Sequence, residues 1–486
     1  MFESAELGQK ISKAEFASRE PEIRTRLLQV QQQIQQAGVP VVILLSGVEG
    51  SDRSGVVKRL HQWMDPRYLR THAFWDETDE ERQRPYYWRF WRCLPAHGET
   101  AIMFGSWYTR PIIDRVFERM DEKSFDLSMQ IIKEHEQMLT DDNHVIIKLW
   151  FHLSSDVQQQ RLAEKKRAVK SPTAALFKKY AKHYDDFVKV SEQALRVTGT
   201  ANSPWHIIEA TNKRYRDITA AEIILQTLEN HLAGTKQPAP AAPQIPPARN
   251  LLETVDLSST LSADEYDKSL DKHQHIIARQ VWQAKDQDRD IVMIFEGWDA
   301  AGKGGTIRRI IHTVDARLYQ VIPVAAPTDE ETAHHYLWRF WRHIPRNGYI
   351  TVYDRSWYGR VLVERVEGFA RTDEWQRAYQ EINHFEQRLI EAGTVLFKFW
   401  LHISPEEQLR RFKEREQIPW KQYKITDEDW RNRDKWQDYE HAVHDMISKT
   451  STESAPWTLV AGNDKAFGRI QVLRTISDRL ERELKG

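Results

Sequence analysis

The sequence predicts an α/β chain built as two tandem three-layer domains, each with a parallel sheet. Three observations carry this. Short apolar runs end in turns that open helices, strand-like and helical stretches alternate along the chain, and the second half repeats the first. Strands separated by stretches of helical length have to pair in parallel through crossover helices.

The repeat is read at an offset of 250 residues. YYWRFWR at 86 to 92 faces YLWRFWR at 336 to 342, TDEE at 78 to 81 faces TDEE at 328 to 331, and Ser106-Trp107-Tyr108 faces Ser356-Trp357-Tyr358. A register held over more than 100 residues is a duplication. Between the copies, GTKQPAPAAPQIPPAR carries five prolines and no apolar periodicity, so residues 234–249 read as a semi-rigid linker. The expected domains are 1–233 and 250–486.

Within each copy a polar helix (about 19 to 37, and 267 to 287) precedes a buried strand (41 to 46, and 291 to 296) that ends in a loop and a further helix. In the second copy ITVYD at 350 to 354 is the next strand. A long helix follows, with Trp375, Tyr379, Ile382, Phe385 and Leu389 on one stripe, and then the strand FKFWLHI. WTLVAG at 457 to 462 is the last strand, before a C-terminal helix. In such a domain the site belongs at the C-terminal ends of the strands.

The loop IVMIFEGWDAAGKGGTIRRI is where chemistry is expected. Gly297, four residues, Gly302 and Lys303 follow the spacing of a phosphate-binding loop, in which backbone N–H groups and a helix N-terminus face an anion. Ala301, Gly304, Gly305 and Thr306 complete it. Gly304 stands where such loops usually carry the Ser or Thr that holds magnesium, so the metal has to be held otherwise. Asp299 is the first candidate and Thr306 a weaker one. Taken alone, the stretch can also be read as an ordinary strand-to-helix turn.

Asp354 ends the next apolar strand, where a second carboxylate for magnesium would stand beside the loop, and Arg355 could grip a phosphate oxygen. A strand-end aspartate can also be a simple cap. PEEQLRRFKERE at 405 to 416 is a helix ringed by basic residues. It is either a solvated face or an arginine-rich lid of the kind that closes over a transferring phosphoryl group. HHYLWRFWRHIPRNG mixes Trp338, Phe340 and Trp341 with Arg339, Arg342 and Arg346. Either the rings pack in the core, or some of them flank a base and support guanidinium groups beside a polyanion.

Composition bounds the partners. The net charge of −1 offers no overall basic field for nucleic acid or an acidic membrane, and no apolar run is long enough to span a bilayer. The single cysteine, Cys93, excludes a disulfide framework and a cysteine zinc cluster, which suits a reducing, cytoplasmic setting.

GWDAAGKGGTIRR, YDRSWYGR with VERV, RRFKER and the APW to NDK ending together resemble the polyphosphate kinase 2 family, in its fused two-domain class. The resemblance implies a P-loop kinase fold similar to thymidylate kinase and phosphotransfer between inorganic polyphosphate and AMP/ADP. It implies magnesium, with manganese an alternative, on Asp299 and Asp354. It assigns Asp299, Lys303, Asp354, Arg355, Arg411 and Arg415 to catalysis. Gly297, Ala301, Gly302, Gly304, Gly305, Thr306, Asp329, Arg339, Arg342 and Arg360 are assigned to binding phosphate and substrate. Neither a membrane nor a specific nucleic acid is expected as partner, and homo-oligomers are compatible with the reading.

The first copy departs at the positions that matter. Glu49, Asp52, Arg53 and Val56 replace Asp299, Gly302, Lys303 and Thr306, and Phe104-Gly105 replaces Asp354-Arg355. Asp52 puts a carboxylate where a phosphate would sit, so the first domain is expected to keep the fold and lose the chemistry. Two rivals stay open: an ATP-dependent nucleoside or nucleotide kinase, and a non-catalytic scaffold for polyanions.

Overall fold

The computed structural model describes residues 1–168, 182–234 and 251–485. The linker expected at 234–249 lies, apart from Gly234, outside them. By internal packing the chain forms two compact units. The first comprises Met1–Glu77, Arg89–Gln237 and Asp329–His335, and the second comprises Thr78–Trp88, Pro238–Thr328 and Tyr336–Gly486.

Each unit is a five-stranded parallel sheet. In the first, β1 (Val41–Gly47), β2 (Leu69–Ala73), β3 (Thr100–Phe104), β4 (Val145–His152) and β5 (Trp205–Glu209) stand in the order β2-β3-β1-β4-β5. In the second, β6 (Ile291–Gly297), β7 (Tyr319–Pro323), β8 (Ile350–Asp354), β9 (Val395–His402) and β10 (Trp457–Ala461) repeat that order. The loop strand is central in both. The chain leaves β6 toward one edge and later crosses to the other side, so β8 and β9 flank β6 and open a crevice at its C-terminal end.

Strand burial follows from this placement. All eight residues of β4 and all eight of β9 are buried, as strands covered on both faces should be. The edge strands were not foreseen. In β7 (YQVIP) no residue is fully buried, and in β2 (LRTHA) only Leu69 is, so neither shows the apolar run of an interior strand.

The aromatic segment of the second unit packs in the core. Trp338, Phe340 and Trp341 are all buried. The helix Trp338–Trp341 is a single turn, so its rings are not confined to one face, and Tyr353, Trp357 and Phe385 meet them edge-on. No ring is left to flank a base.

Candidate active site

The loop of the second unit leaves β6 at Gly297, whose φ is 149° and where an added Cβ would lie 2.5 Å from the Leu401 carbonyl. Only glycine fits there. Ala300 (φ 62°) and Gly302 (φ 110°) then turn the chain in left-handed steps into the helix Lys303–Ile311. Lys303 Nζ donates to the Gly297 carbonyl at 2.7 Å, so its charge lies across the loop. The Thr306 hydroxyl donates to the Gly302 carbonyl at 3.2 Å and the side chain is buried, which makes it a helix brace.

Asp354 ends β8 in register with Phe295 of β6, and its Oδ2 lies 3.8 Å from where a Cβ on Gly304 would stand. The carboxylate therefore faces the first turn of the loop helix. Arg355 follows in the left-handed region at φ 64°. An L-residue is held there at a cost of about 1–2 kcal/mol. Its Nη2 donates to Asp299 Oδ1 at 3.2 Å and its Nη1 lies 3.7 Å from Glu428. Burial disfavours the Arg355 charge, but Asp299, Glu296 and Glu428 outweigh it and raise its pKa.

Several neighbours were not read from the sequence. Glu296, one residue before the loop, is buried and accepts a 2.8 Å bond from the Ser356 hydroxyl. Burial raises its pKa against the pull of Ser356, Lys303 and Arg355. Trp298 stacks on Trp436 with centroids 3.7 Å apart and planes 12° apart, while its Nε1 donates to His402 Nδ1 at 3.0 Å. The helix Asp427–Asp434 brings Glu428 to Arg355 and Asn432 to Asp299. Together Glu296, Asp299, Arg355, Glu428, Asn432 and Tyr439 line much of one pocket. The position of Glu296 directly before Gly297 was the one available signal. The Asp427–Asp434 helix carries no apolar stripe to announce where it packs.

The expected lid residues separate. Arg411 is 2% exposed and donates to the carbonyls of Ala300, Ala301, Gly462 and Asn463. Arg411 is expected from the resemblance to belong to a mobile lid; here its guanidinium ties the loop to the end of β10. Arg415 lies one turn on and its charge acts on Asp429. Arg360 pairs with Glu364 at 3.1 Å and lies over the Tyr336 ring. Arg339 donates to the Ala325 carbonyl, and Arg342 lies over Trp338. Asp329 opens the short helix Asp329–Thr332, in the segment that belongs to the first unit.

The donor set suits a hard cation. Mg²⁺ is commonly held by one or two carboxylates together with substrate phosphates, and Asp299 and Asp354 supply two. Among the described residues no group of three or more His, Cys, Asp or Glu forms a closed metal cage.

In the first unit the equivalent loop is differently filled. Asp52 takes the left-handed position of Gly302, with φ 59°. Its Oδ2 accepts from the buried Arg216 at 3.0 Å and lies 2.6 Å from where a Cβ on Gly55 would be. A carboxylate of the chain itself thus sits over the N-terminal turn of the helix Arg53–Trp63, where the helix dipole favours an anion. Arg53 pairs with Glu49 at 3.2 Å, and Gly105 holds at φ 79° the position that Arg355 occupies in the second unit.

A family model for polyphosphate kinase 2 matches residues 10–236 and again 260–486. The chain belongs to the polyphosphate kinase 2 family. Both units are therefore polyphosphate kinase 2 domains in tandem. A polyphosphate:AMP phosphotransferase of Pseudomonas aeruginosa is 46% identical, the match covering 100% of this chain and 99% of that protein. One of Pseudomonas syringae is 44% identical over 99% of this chain and 98% of that protein. A crystal structure described as a polyphosphate kinase 2 from Pseudomonas aeruginosa matches with a TM-score of 0.90 at 44% identity, covering 100% of this chain and 99% of that one.

Proposed function

We propose that this chain is a polyphosphate:AMP phosphotransferase, moving the terminal phosphoryl group of inorganic polyphosphate to AMP and giving ADP. The observation that carries the reading is full-length similarity, at 46% and 44% identity, to proteins of that name. Because it spans both units, it speaks for the fused two-domain class. The single cysteine suits a reducing compartment, so the proposed setting is the cytoplasm.

The chemistry is placed in the second unit. In the reaction an AMP phosphate oxygen forms a bond to the terminal phosphorus as the bond to the penultimate phosphate breaks, and the shortened polyphosphate leaves as an anion. The acceptor needs no general base, since the second pKa of a phosphate monoester is about 6. What the protein has to supply is alignment and positive charge. The loop N–H groups and Lys303 hold the donor phosphates, Arg355 clamps an oxygen, and Arg415 approaches from the helix Pro405–Gln417. Mg²⁺, held by Asp299 and Asp354, would neutralise phosphate charge and fix the transferring group. The first unit, with Asp52 and Arg53 in its loop and Gly105 for Arg355, is proposed to be inactive.

Phosphorus NMR on the purified protein with Mg²⁺ tests this. AMP and polyphosphate should give ADP, while AMP with ATP as sole donor should give none. Conversion with ATP alone would make the chain a nucleotide kinase, and no conversion with either donor would make it a binding protein.

A further inference from the structure

We propose that Asn432 is a positioning residue that fixes the Asp299 carboxylate for the metal; the inference rests on the reading of Asp299 given above. Asn432 belongs to the helix Asp427–Asp434, outside both the phosphate loop and the helix Pro405–Gln417. Its Nδ2 donates to Asp299 Oδ2 at 2.9 Å, while Arg355 Nη2 donates to Oδ1 at 3.2 Å. The two oxygens are thus held from opposite sides, one by a cation and one by a neutral amide.

Asn432 is itself oriented. Tyr439 donates its hydroxyl to Asn432 Oδ1 at 3.1 Å, which leaves the amide nitrogen facing Asp299 and fixes which end of the amide does so. The Asp299 backbone is held as well, since Gln408 Nε2 donates to its carbonyl at 3.2 Å and Arg433 Nη1 donates to Gln408 Oε1 at 3.0 Å. Side chain and backbone of one loop residue are therefore secured by consecutive residues of one helix, Asn432 directly and Arg433 through Gln408.

A neutral donor is the suitable partner. A second cation on Oδ2 would neutralise the carboxylate and weaken it as a ligand, whereas an amide orients it and leaves its charge to the metal. Glu428 and Asp429 stand on the same helix, and burial together with the Asp299 charge raises the pKa of Asp429. A carboxylate at position 432 would add to that repulsion.

The test is Mn²⁺ binding, read from the loss of the free-ion electron paramagnetic resonance signal, with and without inorganic tripolyphosphate. Wild type is compared with Asn432→Leu, which keeps the branched shape and heavy-atom count and removes the donor, with Tyr439→Phe, and with Asp299→Asn. Asn432→Leu should weaken Mn²⁺ binding about tenfold or more. It should raise the Mg²⁺ concentration for half-maximal ADP formation by a similar factor, with kcat at saturating Mg²⁺ within a few-fold of wild type. Tyr439→Phe should shift both in the same direction by less, with unchanged thermal melting. Wild-type Mn²⁺ affinity in Asn432→Leu would overturn the proposal. Wild-type affinity in Asp299→Asn, or no Mn²⁺ bound by the wild type, would overturn the metal reading of Asp299 and the proposal with it. Failure to form ADP from polyphosphate while Mn²⁺ binding behaves as stated would instead overturn only the assigned reaction.

Discussion

Lys398 Nζ lies 2.8 Å from Glu386 Oε2 in the core of the second unit, and both side chains are almost wholly buried. Glu386 also accepts from Trp357 Nε1 and the Tyr358 hydroxyl, and Lys398 also donates to the Thr450 carbonyl. The first unit repeats the arrangement with Lys148 and Glu136 at 2.7 Å. A charge pair kept in the unit with the altered loop belongs to the fold and not to the reaction. Breaking it leaves a buried charge uncompensated, which costs about 3–5 kcal/mol. Glu386→Ala should lower the unfolding free energy of the second unit, read from a denaturant titration, by that amount, while kcat of the molecules that remain folded stays near wild type.

Activity should divide between the two loops. Lys303→Ala removes the positive charge proposed to face the donor phosphates and is expected to lower kcat by about 10²–10³ or more, a range typical of a lost preorganised electrostatic contact. Arg53→Ala should leave most of the activity, because Arg53 pairs with Glu49 inside the first unit. A phosphorus NMR time course on the two variants reads both outcomes, and full activity in the Lys303 variant would refute the assignment of the site.

Arg355→Gly copies what the first unit already has at Gly105. It relieves a left-handed residue and removes an ion pair with Asp299, two effects of about 1 kcal/mol and opposite sign. Stability measured by thermal melting should therefore stay within about 1 kcal/mol of wild type. Activity should fall at least about 100-fold.

Acid should destabilise the protein through two histidines. Burial lowers the pKa of His144 to about 3 and of His402 to about 4, from 6.5 in the unfolded chain. For a depressed base the unfolded state takes up protons first, so the stability these groups contribute is complete above pH 6.5. It is then lost as the pH falls toward about 4 and about 3. Asp290 acts in the opposite sense. Burial raises it to about 6 from 3.8, so its contribution is complete below pH 3.8 and lost as the pH rises through about 6. Each group changes stability by about 1.4 kcal/mol per pH unit inside its window. Among these three groups two histidines outweigh one aspartate, so their combined contribution to the unfolding free energy should fall between pH 6.5 and 4. Replacing His402 with Gln should flatten that slope.

Asp52→Gly is the converse of these losses. It removes the carboxylate from the N-terminal turn of the helix Arg53–Trp63 and leaves Arg216 paired with Asp217 at 2.7 Å. Arg216 keeps Asp217 and the Ser51 carbonyl, and glycine relieves a left-handed residue at φ 59°, so the variant should lose no more than about 1 kcal/mol. Inorganic tripolyphosphate should restore part of that loss in calorimetry. A melt of the variant indifferent to tripolyphosphate would show that the altered loop cannot take an anion.

The interior of each sheet was legible because a strand covered on both faces must be a near-continuous apolar run, as in VLFKFWLH, which only Lys398 and the terminal His402 interrupt. β7 was not, since YQVIP at the sheet edge alternates between partial cover and solvent and resembles a loop. The phosphate loop was legible from glycine spacing, which follows from local backbone geometry at Gly297 and Gly302. What stands opposite the loop was not. DEDWRNRD carries almost only charge, and nothing local says that Asn432 arrives 2.9 Å from a residue 133 positions away. Arg411 misled for a related reason: a basic ring on a helix looks like a solvated face or a lid until the burial of one member shows it bonded to four backbone carbonyls.

The Asp52–Arg216 pair gives the two halves different relations to their surroundings. A fold whose anion site is occupied by a diffusible ligand gains stability as RT ln(1 + [L]/Kd) and so varies with the phosphate compounds around it. The first unit carries its anion covalently, at a concentration that never changes. Its loop is therefore expected to gain no stability from the polyphosphate that the second unit is proposed to bind.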